Sequence, residues 1–304
     1  MGEKVLMKGN EAIGEAAIRS GCRHFFGYPI TPQTELSAYM AKKMPKINGV
    51  FLQAESEVSA INMVYGAAAA GMRTMTSSSS PGISLKAEGI SYLAAGDLPC
   101  VIVNIVRGGP GLGGIQPAQS DYFQAVKGGG HGDYHLIVLA PNSVQELAHL
   151  TAEAFNISDE YRIPTMILGD GTLGQMMEPV DLDAIPEPIY ADKPWAARGT
   201  DNKRKKNVVE TLYLEASELE KKVLEREEKY NVVKENLQRY EAHDIDDADI
   251  IISSYGITSR VVETAVKSLR EEGIKVGVIR PITLWPFPEK IFKRLNRKRF
   301  CPLK

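Results

Sequence analysis

Short apolar runs alternating with helix-period segments, from Gly9 to about Gly169, constrain this chain more than any other feature. The runs at 50–52, 101–106, 136–139 and 164–168 are continuously apolar, and the segments 10–20, 55–70, 84–95 and 143–157 between them repeat with helical spacing. Strands that are apolar on both faces and separated by helices demand a parallel sheet covered on both sides. The expected fold class is α/β, a doubly wound parallel sheet filling residues 1–178.

Composition then shifts. Pro179, Pro186, Pro188 and Pro194 favour extended chain and mark 179–202 as a linker. Residues 203–244 are densely charged, with Leu212, Ala216, Leu219, Val223, Tyr230, Val233, Leu237 and Tyr240 near heptad spacing and Arg226 interrupting them. That stripe suits a coiled-coil seam or a helical hairpin packed on its own domain. From Asp249 the α/β alternation returns, with strands at 250–253 and 275–279 and helices at 259–272 and 288–295. The sequence stops where a further strand is expected, so 245–304 reads as a shortened second α/β domain.

Length and charge narrow the function classes. At 304 residues the chain has room for two cores. A formal net charge of -2 offers no basic field to nucleic acid or an anionic membrane. Cys22, Cys100 and Cys301 stand far apart without a Cys-x-x-Cys pair, which argues against an iron–sulfur or zinc site built by this chain alone. The N-terminus has no apolar signal core and no run approaches about eighteen apolar residues, so the cytoplasm is the expected compartment.

Three side chains stand where such sheets hand their chain to loops or helices. Thr31, before Pro32 in Phe25-Phe26-Gly27-Tyr28-Pro29-Ile30-Thr31-Pro32, reads as a helix N-cap, and equally as a hydroxyl at an anion-binding helix start. Glu55 and Glu57 fall in the first turn of the next helix. Only Glu57 lies on the stripe of Ile61, Val64 and Ala68, where a carboxylate needs a hydrogen-bond donor. Arg107 ends the longest apolar strand and enters Gly108-Gly109-Pro110-Gly111-Leu112-Gly113-Gly114, where a guanidinium can clamp a carboxylate. A solvated acid and an exposed strand-end arginine are the plain alternatives. Gly169-Asp170-Gly171 with Asn202 imitates a magnesium–diphosphate motif but lacks its second Asn and its strand-and-helix context. His131, Asp133 and His135, at every second residue, are weak as a metal set.

Gly27-Tyr28-Pro29-Ile30-Thr31-Pro32, Glu55-Ser56-Glu57-Val58, Ser79-Ser80-Pro81-Gly82 and Gln119-Ser120-Asp121 occur in the order that resembles the α-type, pyrimidine-binding subunit of 2-oxoacid:ferredoxin oxidoreductases. The resemblance spans residues 8 to about 295. Met7-Lys8-Gly9-Asn10-Glu11-Ala12 and Gly108-Gly109-Pro110-Gly111-Leu112 look most like the 3-methyl-2-oxobutanoate (ketoisovalerate) type. The resemblance implies oxidative decarboxylation of a 2-oxoacid to an acyl-coenzyme A on thiamine diphosphate, with ferredoxin reduced. It implies partner subunits that hold the diphosphate, Mg2+ and the iron–sulfur clusters, and a transketolase C-terminal-like second domain. It also gives Glu57 a hydrogen bond to a pyrimidine nitrogen, places Tyr28 and Pro29 beside the cofactor, and sets Thr31 and Arg107 on the substrate carboxylate. The rival readings are a pyruvate- or 2-oxoglutarate-specific member, a two-subunit thiamine enzyme without ferredoxin, and a non-catalytic assembly module.

Overall fold

The computed structural model describes residues 4–295 and the backbone of 299–302. In chain order the elements are β1 (Lys4–Lys8), α1 (Gly9–Arg19), β2 (His24–Gly27), α2 (Thr34–Lys43), β3 (Val50–Gln53), α3 (Glu57–Ala69), β4 (Thr74–Ser78), α4 (Pro81–Ala95), β5 (Val101–Val106), α5 (Tyr122–Val126), β6 (Ile137–Leu139), α6 (Val144–Tyr161), β7 (Thr165–Asp170), α7 (Gly171–Gln175) and β8 (Met177–Asp181). Then follow α8 (Ala216–Asn236), β9 (Tyr240–His243), β10 (Ile250–Ser253), α9 (Ile257–Glu271), β11 (Val276–Pro281), β12 (Thr283–Trp285), α10 (Glu289–Arg294) and β13 (Arg299–Pro302).

A 7-stranded sheet runs β12-β6-β7-β5-β4-β2-β3. It is parallel except at β12, which pairs antiparallel with β6. The doubly wound sheet expected from the apolar runs is therefore present, with one antiparallel edge. Helix α1 packs on α2 and α6, while α3 packs on α4. Every residue of β5 and β7 is buried, as strands covered on both faces must be. From β2 the chain crosses to β3 on one side, and from β4 to β5 on the other. Such a reversal opens a crevice at the carboxyl ends of the two strands, here β2 and β4.

Strand β4, Thr-Met-Thr-Ser-Ser, was not expected, because only one of its five side chains is apolar. All five residues are nevertheless buried. Two of their hydroxyls find polar partners on neighbouring elements, since Lys86 Nζ donates to Thr76 Oγ1 at 2.7 Å and Ser77 Oγ donates to Gln33 Oε1 at 2.6 Å, while those of Thr74 and Ser78 have none among the described residues.

The segment 203–244 departs from the hairpin and coiled-coil expectations. It holds one helix, α8, preceded by chain without regular secondary structure in which β-branched Val208, Val209 and Thr211 disfavour helix. Leu212, Leu219 and Val223 are exposed, whereas Tyr230, Val233 and Leu237 enter the main core. Only the C-terminal half of the apolar stripe is thus used for packing. The proline-rich stretch begins in β8, whose residues up to Asp181 pair antiparallel with β1.

A 4-stranded sheet, β13-β10-β11-β9, follows. Strand β13 pairs parallel with β10, supplying a strand at the position where the sequence pattern called for one. Cys22 and Cys100 are buried free thiols, and the Cys301 side chain lies outside the described residues. Among the described residues no helix is long and apolar enough to cross a membrane.

Candidate active site

The crevice between β2 and β4 is walled by the turns that follow β2, β3, β4 and β5. After β3, Ser56 caps α3, its Oγ accepting from the Ser59 amide at 3.1 Å. The helix therefore starts at Glu57, two residues later than the sequence pattern suggests, and Glu55 lies before it with Oε1 accepting from Ser59 Oγ at 3.3 Å. Glu57 is 6% exposed on the face that also buries Ile61, Val64 and Ala68. No hydrogen-bond donor among the described residues reaches its carboxylate. Its two oxygens are thus left free to accept from a donor that enters the crevice.

Across from Glu57 is the start of α4. Gly82 stands so close that a Cβ there would lie 2.7 Å from Glu57 Oε1 and 2.1 Å from Ser78 Oγ. The hydroxyls of Ser78 and Ser79 are buried without a partner among the described residues. Ser80, at φ 25°, turns the chain from β4 into α4, and its amide donates to Asn104 Oδ1 at 3.1 Å. Asn104 Nδ2 in turn donates to Asp121 Oδ2 at 3.0 Å, which brings the Gln119-Ser120-Asp121 motif onto the same floor.

Arg107 is joined to that turn: its amide donates to Ser80 Oγ at 3.1 Å, and Ser80 Oγ donates to its carbonyl at 3.1 Å. The strand-end arginine is not exposed. The residue is 7% exposed, and its guanidinium donates to the Thr31 carbonyl at 3.1 Å and the Leu112 carbonyl at 3.0 Å, leaving Nε without a partner among the described residues. Thr31 and Arg107 are therefore adjacent, held through a backbone carbonyl. The glycine loop after Arg107 closes by Gly114 N to Gly108 O at 2.9 Å, and at Gly113 (φ 60°) a Cβ would meet Gly108 O at 1.8 Å. Only glycine fits that turn.

Thr31 is not the N-cap of α2. That helix starts at Thr34 after Gln33, and the Pro32 carbonyl accepts from Asn10 Nδ2 at 2.9 Å. Two residues of further turn separate the hydroxyl from the helix, because Gln33 is drawn inward to Ser77 and to the Tyr28 carbonyl. Tyr28, Pro29 and Thr31 are exposed at the crevice mouth. Gln33, Asn104 and Lys86, all fully buried, form the floor and were missed by sequence reasoning. The available signal was the hydroxyl-rich run 76–80, which needs polar partners if it is a strand.

The two decoys have structural roles. Asp170 caps α7, its Oδ1 accepting from Thr172 N at 2.8 Å and Leu173 N at 3.2 Å. Burial holds its carboxyl above the ordinary range, and those amides offset only part of the rise. His135 stacks on Trp285 with ring centroids 4.6 Å apart, and His131 meets the Tyr92 ring edge-on.

Residues 15–256 match the family described as pyruvate flavodoxin/ferredoxin oxidoreductase, thiamine diphosphate-binding, and residues 248–301 match pyruvate:ferredoxin oxidoreductase core domain II. The ketoisovalerate oxidoreductase subunit VorB of Methanothermobacter marburgensis is 51% identical over 290 residues, covering 95% of this chain and 82% of that one. The 2-oxoglutarate synthase subunit KorA of Methanocaldococcus jannaschii is 37% identical, covering 96% of this chain and 86% of that one. Among solved structures, a 2-oxoglutarate:ferredoxin oxidoreductase from Magnetococcus marinus, with 2-oxoglutarate, coenzyme A and succinyl-CoA bound, superposes with a TM-score of 0.89 at 31% identity. The match covers 99% of this chain and spans 58% of the length of that one.

Proposed function

This chain belongs to the thiamine diphosphate-binding family of pyruvate flavodoxin/ferredoxin oxidoreductases, and on that premise we propose that it is the pyrimidine-facing subunit of a 2-oxoacid:ferredoxin oxidoreductase acting on 3-methyl-2-oxobutanoate. The observation that carries the reading is Glu57, a buried carboxylate with no donor of its own, poised over Gly82 at the switch point of the sheet. A ring nitrogen that carries a proton would satisfy it. The substrate assignment rests on the 51% identity to ketoisovalerate oxidoreductase subunits.

Thiamine diphosphate, when bound, supplies the carbanion chemistry that cleaves the 2-oxoacid. This chain supplies the surroundings. Glu57 holds the proton of the pyrimidine nitrogen, with Tyr28 and Pro29 at the crevice mouth beside the ring. Arg107 and the Thr31 hydroxyl orient the substrate carboxylate. Partner subunits hold the diphosphate, its Mg2+ and the iron–sulfur clusters, and coenzyme A and ferredoxin complete the reaction in the cytoplasm. The use of Asp170 as a helix cap supports giving the metal to a partner.

The test is reconstitution with the partner subunits, thiamine diphosphate, Mg2+, coenzyme A and a viologen acceptor. Reduction should be fastest with 3-methyl-2-oxobutanoate and slower with pyruvate and 2-oxoglutarate. Glu57→Gln should cut turnover by about two to three orders of magnitude with an unchanged melting temperature. Near-normal turnover in that variant would remove Glu57 from the chemistry.

A further inference from the structure

Behind Glu57 the structure buries a second ionisable side chain. Lys86 is completely inaccessible, and its Nζ donates to Thr76 Oγ1 at 2.7 Å and to the Ser77 carbonyl at 3.0 Å. Both acceptors are neutral, and no carboxylate among the described residues lies within salt-bridge distance of the ammonium. Buried lysines ordinarily have an ion-pair partner, because an isolated ammonium is expensive to remove from water.

Helix geometry shows where this cation sits. Gly82, Lys86 and Gly89 are spaced four and three residues apart and so share one face of α4. Gly82 abuts Glu57 Oε1, and a Cβ at Gly89 would lie 2.4 Å from Ile61 Cγ2. The face carrying Lys86 is therefore pressed against the face of α3 that carries Glu57 and Ile61. From β4 Lys86 meets only a hydroxyl and a carbonyl, and Glu57 is the one ionisable group among the described residues whose charge acts on it. Two short glycine positions let the helices approach closely enough for a single buried cation to serve a single buried acid.

We propose that Lys86 is a positioning residue whose charge acts on the Glu57 carboxylate and through it sets the proton affinity of the pyrimidine nitrogen that Glu57 contacts. The proposal rests on the reading of Glu57 given above. Burial lowers the ammonium to about 7, against the pull of Glu57 in the other direction, so its charge is adjustable near neutrality. A charged Lys86 stabilises the carboxylate and makes the site less willing to take a proton. A neutral one makes it more willing.

The complex, loaded with thiamine diphosphate labelled with 15N at the pyrimidine nitrogen, reads this directly by solid-state NMR across pH. Lys86→Gln keeps a donor toward Thr76 and Ser77 but removes the charge; Lys86→Met removes both. Both variants should raise the midpoint at which the ring nitrogen takes its proton by at least about one pH unit, a tenfold change in proton affinity. A midpoint unchanged in Lys86→Gln, whatever Lys86→Met does, means the lysine only fills space and overturns the proposal. Glu57→Gln should lower the midpoint; if it too leaves the midpoint in place, the Glu57 reading itself falls. Should the lysine variants fail to assemble, the reciprocal coupling decides. The Lys86 ε-carbon, followed by 13C NMR, should titrate at least about one pH unit lower in Glu57→Gln than in wild type, and an unchanged midpoint overturns the proposal.

Discussion

Arg107 illustrates how much a single side chain is asked to do. Its guanidinium ties the Thr31 turn to the glycine loop through two carbonyls, with one nitrogen left unpaired. Arg107→Ala therefore removes a substrate contact and strands two acceptors, at about 1–3 kcal/mol for each that water does not reach. The expected result is a rise of at least about tenfold in the KM for the 2-oxoacid together with a lowered melting temperature. Arg107→Lys should not restore both, since an ammonium lacks the planar fork that spans two carbonyls. Lys86 makes a second residue-level prediction, in which the sign is set by burial. The unfolded chain binds its proton up to the ordinary 10.5, whereas the folded chain releases it near 7. Between those values the unfolded state holds more protons, so folding stability rises with pH through the window, by at most about 1.4 kcal/mol per pH unit. Lys86→Met lacks this dependence. Its stability relative to wild type, from urea melts, should be most favourable near pH 6–7 and should decline toward pH 10; parallel curves would mean Lys86 is not buried as a titrating group.

Elements, by contrast, depend on whether their stabilisation is apolar. Strands β3, β5, β6 and β7 were legible because continuous hydrophobic runs need no partner to be recognised. Strand β4 was not, since what buries Thr76 and Ser77 is a lysine on α4 and a glutamine before α2, contacts with no local signature. The same reason hid the floor of the site while leaving its rim readable: Glu57 announced itself by an apolar stripe, and Arg107 by a strand end. Thr31 was placed at a helix start because Thr-Pro imitates a cap, and the tertiary pull on Gln33 moved that start to Thr34. The α3–α4 contact is the element on which the site depends most. Gly82→Ala gives α4 a better helix former, worth up to about 1 kcal/mol. It also drives a methyl toward Ser78 Oγ and Glu57 Oε1. Overall stability should change little, while thiamine diphosphate affinity of the assembled complex, by isothermal titration calorimetry, should fall at least about tenfold. Unaltered affinity would mean that Glu57 has room to move aside without consequence.

At the scale of the whole molecule, the question is what makes two sheets behave as one body. Strand β12 lends itself to the edge of the main sheet, and Gln119 spans the join, donating to the Tyr255 carbonyl at 2.9 Å and accepting from Thr258 Oγ1 at 2.8 Å. The strongest tie is Arg280 of β11, whose side chain is 2% exposed. It grips Glu146 of α6 with two bonds of 2.8 Å and Glu241 of β9 with one of 2.9 Å. Glu146 also accepts from the Asn142 amide at 2.7 Å, so the clamp reaches the loop between β6 and α6. None of this was legible from the sequence, where Arg280 is one more basic residue at a strand end and its partners are 134 and 39 residues away. A buried pair adds little over a well-packed apolar substitute, yet removing one partner leaves an uncompensated charge and costs about 3–5 kcal/mol. Arg280→Ala should therefore destabilise strongly. Because Glu241 is partly exposed and can turn to water, most of the loss should come from Glu146. Arg280→Met combined with Glu146→Leu should recover much of it by replacing the charges with packing volume. Chemical denaturation separates these outcomes: Arg280→Ala should split the transition, with the 4-stranded sheet unfolding first, and the double variant should restore a single cooperative step. If Arg280→Ala melts in one step at the wild-type midpoint, the β12 edge and the Gln119 bridge join the sheets without the clamp.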